Sequence, residues 1–149
     1  MSVRMELSRI LIRELNDYQI IELREVLPDD ADESSARSFP ICIGLPEAQA
    51  IERRLKGVTI KRPQTHDLLA AVIRHLGGRL VRITISDLRA GTFFARLIVE
   101  QDGREIEIDS RPSDAIALGV AEDVPIFVAE HVLARTQAGQ ELEEDYGEP

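Results

Sequence analysis

Hydrophobic and polar residues alternate along much of the first part of the chain. Between Val3 and Val26, Ile, Leu and Val are interspersed with charged residues, and the run is interrupted at Asn16-Asp17. Alternation with a period of two is typical of half-buried strands, and Asn and Asp favour turns. The pattern predicts two strands joined as a hairpin, then an exposed loop over residues 28–38 and a short buried strand over residues 39–43.

Three later segments have apolar residues at the spacing of an amphipathic helix. The first covers residues 46–56, between Pro46 and Gly57, and the third opens at Pro112. Proline is favoured in the first helical turn and glycine just after the last one. The second helix precedes Gly77 and has Thr65 at the position of its N-cap, a role that suits threonine.

Residues 79–88 and 92–100 alternate in the manner of strands, and Asp102-Gly103 is a turn signal before a third strand over residues 104–108. A last short strand is predicted over residues 125–129. Hairpins dominate and no regular strand–helix–strand repeat emerges. We therefore predict one α+β domain, with a mixed, mostly antiparallel sheet and about three helices.

Length and charge limit the further possibilities. A chain of 149 residues suits one domain, which we expect to span residues 1–135, before an acidic, disordered tail over residues 136–149. The formal charge of -9 argues against a protein that coats nucleic acid. The single cysteine, Cys42, lies in an apolar run and is interpreted as a core residue.

The N-terminus lacks the apolar stretch of a signal peptide, and no segment is long and apolar enough to cross a bilayer. We expect a cytoplasmic protein with no membrane partner.

Two polar segments precede the predicted second and third helices, over residues 61–67 and 108–114. Helix entrances present unpaired N–H groups and a partial positive charge, which attract phosphates and carboxylates. Carboxylates can hold Mg²⁺ or Mn²⁺, and histidine can move a proton near neutral pH. The predicted phosphate-binding residues are Arg62, Arg111 and Ser113. The predicted catalytic residues are His66, Asp67, Asp109 and Asp114, and the three aspartates are also the predicted metal ligands.

A structural role explains several of the same residues. An acid in the first turn of a helix caps it or stabilises its dipole without any chemistry. Arg111 can form a salt bridge with Asp109 or Asp114, which would itself orient that carboxylate. The sequence has no HExxH pair, glycine-rich phosphate loop, Cys-x-x-Cys or serine elbow, so zinc hydrolases, P-loop enzymes and serine hydrolases are set aside.

In these segments the sequence resembles the bifunctional nuclease domain family. The resemblance covers roughly residues 5–133, and its most specific stretches are Thr-His-Asp-Leu at residues 65–68 and Arg-Pro-Ser-Asp-Ala-Ile-Ala-Leu at residues 111–118. Glu47-Ala-Gln-Ala-Ile51 also matches. The chain departs from the family pattern in Lys61, where proline is common, in Ser110 and Gly119, where alanine is more usual, and in the acidic insertion over residues 28–38.

The resemblance implies a compact α+β domain, commonly a homo-oligomer of two or more chains, whose plant members are nucleases on RNA and DNA. Together with the carboxylates of the two polar segments, the resemblance favours metal-assisted phosphodiester hydrolysis with DNA or RNA as partner. An alternative is a non-catalytic module that binds a regulatory partner or a small anionic ligand at the same helix N-termini. The roles of individual residues are inferred from their chemistry and not from the family.

Overall fold

The computed structural model describes residues 1–138, which form one mixed sheet of seven strands with four α-helices. The strands are β1 (Ser2–Leu11), β2 (Gln19–Glu25), β3 (Ser38–Ile43), β4 (Arg79–Arg89), β5 (Thr92–Gln101), β6 (Arg104–Ser110) and β7 (Ile126–Ala129). The helices are α1 (Leu45–Lys56), α2 (Thr65–His75), α3 (Pro112–Gly119) and α4 (Glu130–Ala138). The predicted α+β class is confirmed.

The sheet order is β3-β2-β1-β7-β4-β5-β6. The predicted β1–β2 hairpin and the β4–β5–β6 meander are both antiparallel. The short strand β7 joins them, because it pairs with β1 on one side and, in parallel, with β4 on the other. Its Ile126 and Val128 are buried, so the central strand of the sheet is also held by the core.

The sheet curls strongly enough to bring distant strands together. Phe39 of β3 stacks on Phe93 of β5, with ring centroids 5.5 Å apart, although four strands, β2, β1, β7 and β4, lie between these two in the sheet. Such a pair contributes roughly 0.5 to 1.5 kcal/mol beyond its burial. The curl places the junction of β3 and α1 near the turn between β4 and β5.

The start of α2 differs from the sequence-based prediction. Gln64, with extended backbone, is the N-cap of α2 and Thr65 is the first helical residue. The reason is that the Asp67 carboxylate accepts a hydrogen bond from the Gln64 N–H at 3.1 Å and so caps the helix from within its first turn.

The fourth helix, α4, was not predicted. It is held by the buried side chains of Val132, Leu133 and Thr136, and it continues to Ala138, past the predicted start of the tail at residue 136. Residues 139–149, the rest of that predicted tail, lie outside the described residues. None of the helices within residues 1–138 is long and apolar enough to cross a membrane.

The acidic segment over residues 28–38 is a loop with a short 3-10 helix, Glu33–Ser35, and its last residue begins β3. Arg37 ties it to the body of the domain through Glu25 and Glu130, with N–O distances of 3.0 and 2.9 Å. The loop therefore leads into the start of β3, whereas the candidate site lies near the end of that strand.

Candidate active site

The N-terminal turns of α1, α2 and α3 converge on a group of four polar side chains, Glu47, His66, Arg111 and Asp114, which we call the polar cluster. Arg111 Nε donates to Asp114 Oδ2 at 2.7 Å, and Arg111 Nη1 lies 3.9 Å from Glu47 Oε1. His66 Nε2 lies 2.8 Å from Asp114 Oδ1. Each helix thus contributes at least one member.

The short helix α3 is a rigid base for the polar cluster. All of its residues except Asp114 are buried, from Pro112 to Gly119. Arg111 is its extended N-cap residue, and the proline that follows suits the first turn. Asp114 stands three residues after Arg111, so its carboxylate reaches back to the guanidinium beside the helix entrance.

The charges in the polar cluster fix the role of each hydrogen-bonding atom. Burial raises the pKa of Asp114, but hydrogen bonds from Arg111 and His66 outweigh it and leave the pKa lowered. Asp114 is therefore ionised at neutral pH, and it accepts a hydrogen bond from the Nε2–H of His66. In the neutral imidazole the lone pair then lies on Nδ1, which has no hydrogen-bond partner among residues 1–138.

A cavity of about 520 Å³ adjoins the polar cluster. Its lining includes Arg111, Glu47 and Ser113, together with Phe93 and Tyr18. The Arg111 side chain is 63% exposed, and the hydrogen bond to Asp114 raises its pKa further, so its positive charge is permanent and accessible. The volume falls within the range of small-ligand sites.

Asp67 faces a different group of residues. Its Oδ2 accepts from Arg53 at 2.8 Å, and its Oδ1 accepts from the buried Arg54. Arg54 also donates to the backbone oxygens of Ala117 and Leu118 in α3. Burial raises the pKa of Asp67, but hydrogen bonds from the Gln64 N–H and both arginines lower it overall. The contacts of Asp67 therefore link α1, α2 and α3.

The remaining predicted site residues lie at three different places. Ser113 is buried in the first turn of α3 and lines the cavity. Arg62 is exposed in the segment before α2 and forms no hydrogen bond or ion pair with any described residue. Asp109 lies in β6, opposite Arg96, on the face of the sheet away from the helices.

The structure does not bring Asp67, Asp109 and Asp114 together. Within residues 1–138, no three His, Cys, Asp or Glu side chains are grouped so that they could hold a metal ion. The predicted use of Mg²⁺ or Mn²⁺ stays a prediction.

Glu47 is the member of the polar cluster that sequence reasoning missed as a site residue. It follows Pro46 in the first turn of α1, where an acid is commonly a simple helix-stabilising residue. Its place in the Glu47-Ala-Gln-Ala-Ile51 stretch shared with the bifunctional nuclease domain family was the available signal.

The fold and the matched segments define the class of protein. The model of the bifunctional nuclease domain matches residues 26–141, and this chain belongs to that family.

Two relatives illustrate how similar this chain is to other proteins. The uncharacterized protein Rv1829 of Mycobacterium tuberculosis is 41% identical over 130 residues, which cover 87% of this chain and 72% of that protein. Bifunctional nuclease 1 of Oryza sativa subsp. indica is 24% identical over 121 residues, which cover 76% of this chain and 37% of the rice protein.

Proposed function

We propose that the polar cluster cleaves phosphodiester bonds of DNA or RNA. The observation that carries the proposal is the His66–Asp114 hydrogen bond of 2.8 Å beside the exposed guanidinium of Arg111. A carboxylate-oriented imidazole next to a fixed cation is suited to proton transfer at a phosphate. The name of the rice relative, a bifunctional nuclease, supports the same reaction class.

In this proposal His66 is the general base. Its Nδ1 takes a proton from a water molecule as the water oxygen bonds to phosphorus, and the leaving ester oxygen departs with the bonding electrons and is protonated by solvent. Asp114 stays ionised and stabilises the imidazolium through the Nε2–H hydrogen bond. General-base catalysis of this kind contributes roughly 10² to 10⁴ in rate.

Arg111 neutralises charge on the phosphate in the transition state. Its Nη1 is 3.9 Å from Glu47, a loose contact that a phosphate oxygen can replace, while its Nε remains on Asp114. The first turn of α3, with Ser113, adds the positive end of a helix dipole on the same side. Arg62, which has no partner in residues 1–138, is available for a neighbouring phosphate of the chain.

Metal dependence is a separate part of the proposal. The predicted ligands do not fit a shared metal site, because Asp67 and Asp114 each have both oxygens engaged by other side chains and Asp109 is on the far face of the sheet. The reaction steps assigned to His66 and Arg111 therefore pass through no metal. Comparing Mg²⁺, Mn²⁺ and chelator in the cleavage assay tests this part.

The second candidate function is a module that binds a small anionic ligand without cleaving it. The cavity of about 520 Å³ favours it, since it suits a small molecule as well as one nucleotide. The formal charge of -9 also opposes the approach of a polyanion.

The test is cleavage of labelled single-stranded DNA, duplex DNA and RNA by the full chain and by Arg111→Ala and His66→Ala. Arg96→Ala is a matched control, because Arg96 is an exposed arginine that pairs with Glu107 on the other face of the sheet. We expect each site variant to lose roughly 100-fold in rate. The control should keep wild-type activity, and all variants should melt within a few degrees of wild type.

Absence of cleavage by the wild type, or cleavage that persists in both site variants, would contradict the proposal. Binding of a nucleoside monophosphate, measured by calorimetry and lost in Arg111→Ala, would then support the ligand-binding module.

A further inference from the structure

Two arginines and a histidine share one carboxylate at the C-terminal end of β4. Asp87 Oδ2 lies 2.9 Å from Arg89 Nε. Its Oδ1 lies 3.4 Å from His131 Nε2 and 3.8 Å from Arg135 Nη1. Within residues 1–138, no ion pair joins these three side chains to another acid. We call Arg89, His131 and Arg135 the basic cluster.

Positive charge is in excess in the basic cluster. A hydrogen bond from the Leu88 N–H, together with the neighbouring cations, lowers the pKa of Asp87, so this carboxylate supplies one fixed negative charge. Arg89 and Arg135 supply two permanent positive charges, and His131 adds a third when it is protonated. The excess is therefore one or two positive charges.

The other arginines of β4 and β5 have no such excess around them, because each has a glutamate as its partner. These pairs are Arg79–Glu100, Arg82–Glu105 and Arg96–Glu107. The sheet therefore neutralises its arginines one by one, except where β4 ends.

Contacts other than the ion pairs hold both arginines of the basic cluster in place. The guanidinium of Arg89 lies over the Phe94 ring, 4.2 Å from its centroid, and Arg135 donates to the backbone oxygen of Leu88. The side chains of Arg89, His131 and Arg135 remain 65%, 56% and 45% exposed. An accessible cation that is already held in place loses less conformational entropy when it binds an anion.

The basic cluster borders the cavity beside the polar cluster. Strands β4 and β5 are joined by the two-residue turn Ala90–Gly91, in which both residues have positive φ, 48° and 77°, as in a type I′ turn. The turn pairs Arg89 with Thr92, and Thr92 and Gly91 line the cavity. One tight turn thus separates Arg89 from the cavity.

The polar cluster alone is a poor site for a polyanion. It contains two acids, Glu47 and Asp114, against one permanent cation, Arg111. A chain of phosphates gains attraction chiefly from cations that it can reach together. A polynucleotide at the polar cluster therefore needs a cationic surface nearby.

We propose that the basic cluster binds phosphates of a DNA or RNA chain that passes over the Ala90–Gly91 turn from the polar cluster. The inference deepens the proposed function and rests on it for the class of ligand, a polynucleotide. Arginine suits this role because its planar guanidinium matches two phosphate oxygens at once. Contacts to phosphates carry no sequence information, so DNA and RNA are both expected to bind.

Fluorescence anisotropy with labelled single-stranded oligothymidylate tests the inference. The full chain is used in the His66→Ala background, so that the DNA stays intact. Arg89→Gln is the disrupting variant, and Arg79→Gln is the matched control, since Arg79 is an exposed arginine at the opposite end of the same strand and the change in net charge is identical. We expect Arg89→Gln to raise the Kd several-fold in low salt.

The salt dependence gives a second readout. Loss of one phosphate contact should reduce the slope of log Kd against log salt by about 0.7 for a single strand. Arg79→Gln should leave both the Kd and the slope unchanged. An unchanged Kd in Arg89→Gln, or an equal loss in Arg79→Gln, would overturn the proposal.

Asp87→Asn should change the affinity in the opposite direction. It removes the one negative charge among the cations, while the amide oxygen can still accept from the Leu88 N–H. We expect a Kd several-fold below that of the parent, a result that a purely structural role of Asp87 would not produce. Weaker binding in Asp87→Asn would overturn the proposal.

Cleavage of bis(p-nitrophenyl) phosphate, measured with His66 intact, separates this inference from the proposed function. This substrate has one phosphate, so Arg89→Gln should cleave it at the wild-type rate. If the wild type cleaves no phosphodiester but Arg89→Gln binds DNA more weakly than Arg79→Gln does, the proposed function fails and the basic cluster is supported. If the wild type cleaves and Arg89→Gln binds DNA as the parent does, the inference alone fails.

Discussion

Two aspartates in the first turns of neighbouring helices have different partners. Asp67 lies between Arg53 and the buried Arg54, whereas Asp114 lies between His66 and the exposed Arg111. The partners decide the roles. Two guanidinium groups in a half-buried position make Asp67 a link between helices, whereas the imidazole and the accessible cation beside Asp114 are the reason that we propose a part in chemistry for it.

We predict that Asp67→Asn destabilises the protein strongly. The substitution leaves Arg54, whose side chain is 7% exposed, without its ionised partner. Loss of one partner from such a pair costs about 3 kcal/mol in the free energy of unfolding. Urea denaturation measures it. Asp109→Asn is the control, since Asp109 is exposed, and a shift of within about 0.5 kcal/mol is expected there.

The same carboxylate gives the stability a pH dependence. The pKa of Asp67 is lowered in the folded state, so its contribution is present above the unfolded pKa of about 3.9 and is lost as pH falls through the folded pKa. Asp67→Asn should therefore lose less stability on acidification than the wild type does. Parallel losses in the two proteins would contradict the role assigned to Asp67.

At the scale of elements, local patterns predicted most of the fold. Alternation, turn pairs and the prolines at residues 46 and 112 depend only on neighbours in sequence, and the β1–β2 hairpin, the meander and the first three helices follow from them. The position of β7 does not, because its pairing with both β1 and β4 is a long-range contact. Helix α4 was missed for a related reason: three buried residues hold it against the rest of the domain.

For the candidate site too, the local contacts were predictable from the sequence and the long-range contacts were not. The Arg111–Asp114 ion pair spans three residues and was one of the alternatives open from the sequence. The His66–Asp114 contact spans 48 residues, and the approach of Glu47 depends on the packing of α1 beside α3. Asp109 was expected near the helix entrance, but β6 runs on to Ser110 and the alternation of a strand turns Asp109 to the other face.

At the scale of the whole molecule, charge is unevenly distributed along the chain. Residues 139–149 contain five acidic and no basic residues, so residues 1–138 have a net charge of -4 out of the total of -9. A polyanion is repelled by this charge over distances of about 10 Å at moderate salt. The acidic segment is therefore expected to weaken nucleic-acid binding.

We predict that removing residues 139–149 lowers the Kd for labelled single-stranded DNA several-fold in low salt, and that the difference fades as salt is raised. Fluorescence anisotropy measures both. Replacing the five acids by their amides in the full chain is the control that separates charge from length. Equal affinities for the full and shortened chains would show that the segment does not repel the ligand.

The central claim is that His66 and Asp114 act as one catalytic unit, and a double-mutant cycle tests it most directly. The values of kcat/KM for phosphodiester cleavage are compared among wild type, His66→Ala, Asp114→Asn and the double variant. Residues that act together are strongly non-additive, so we predict that the double variant is no slower than His66→Ala alone. Losses that multiply in the double variant, or single variants as fast as wild type, would contradict the claim.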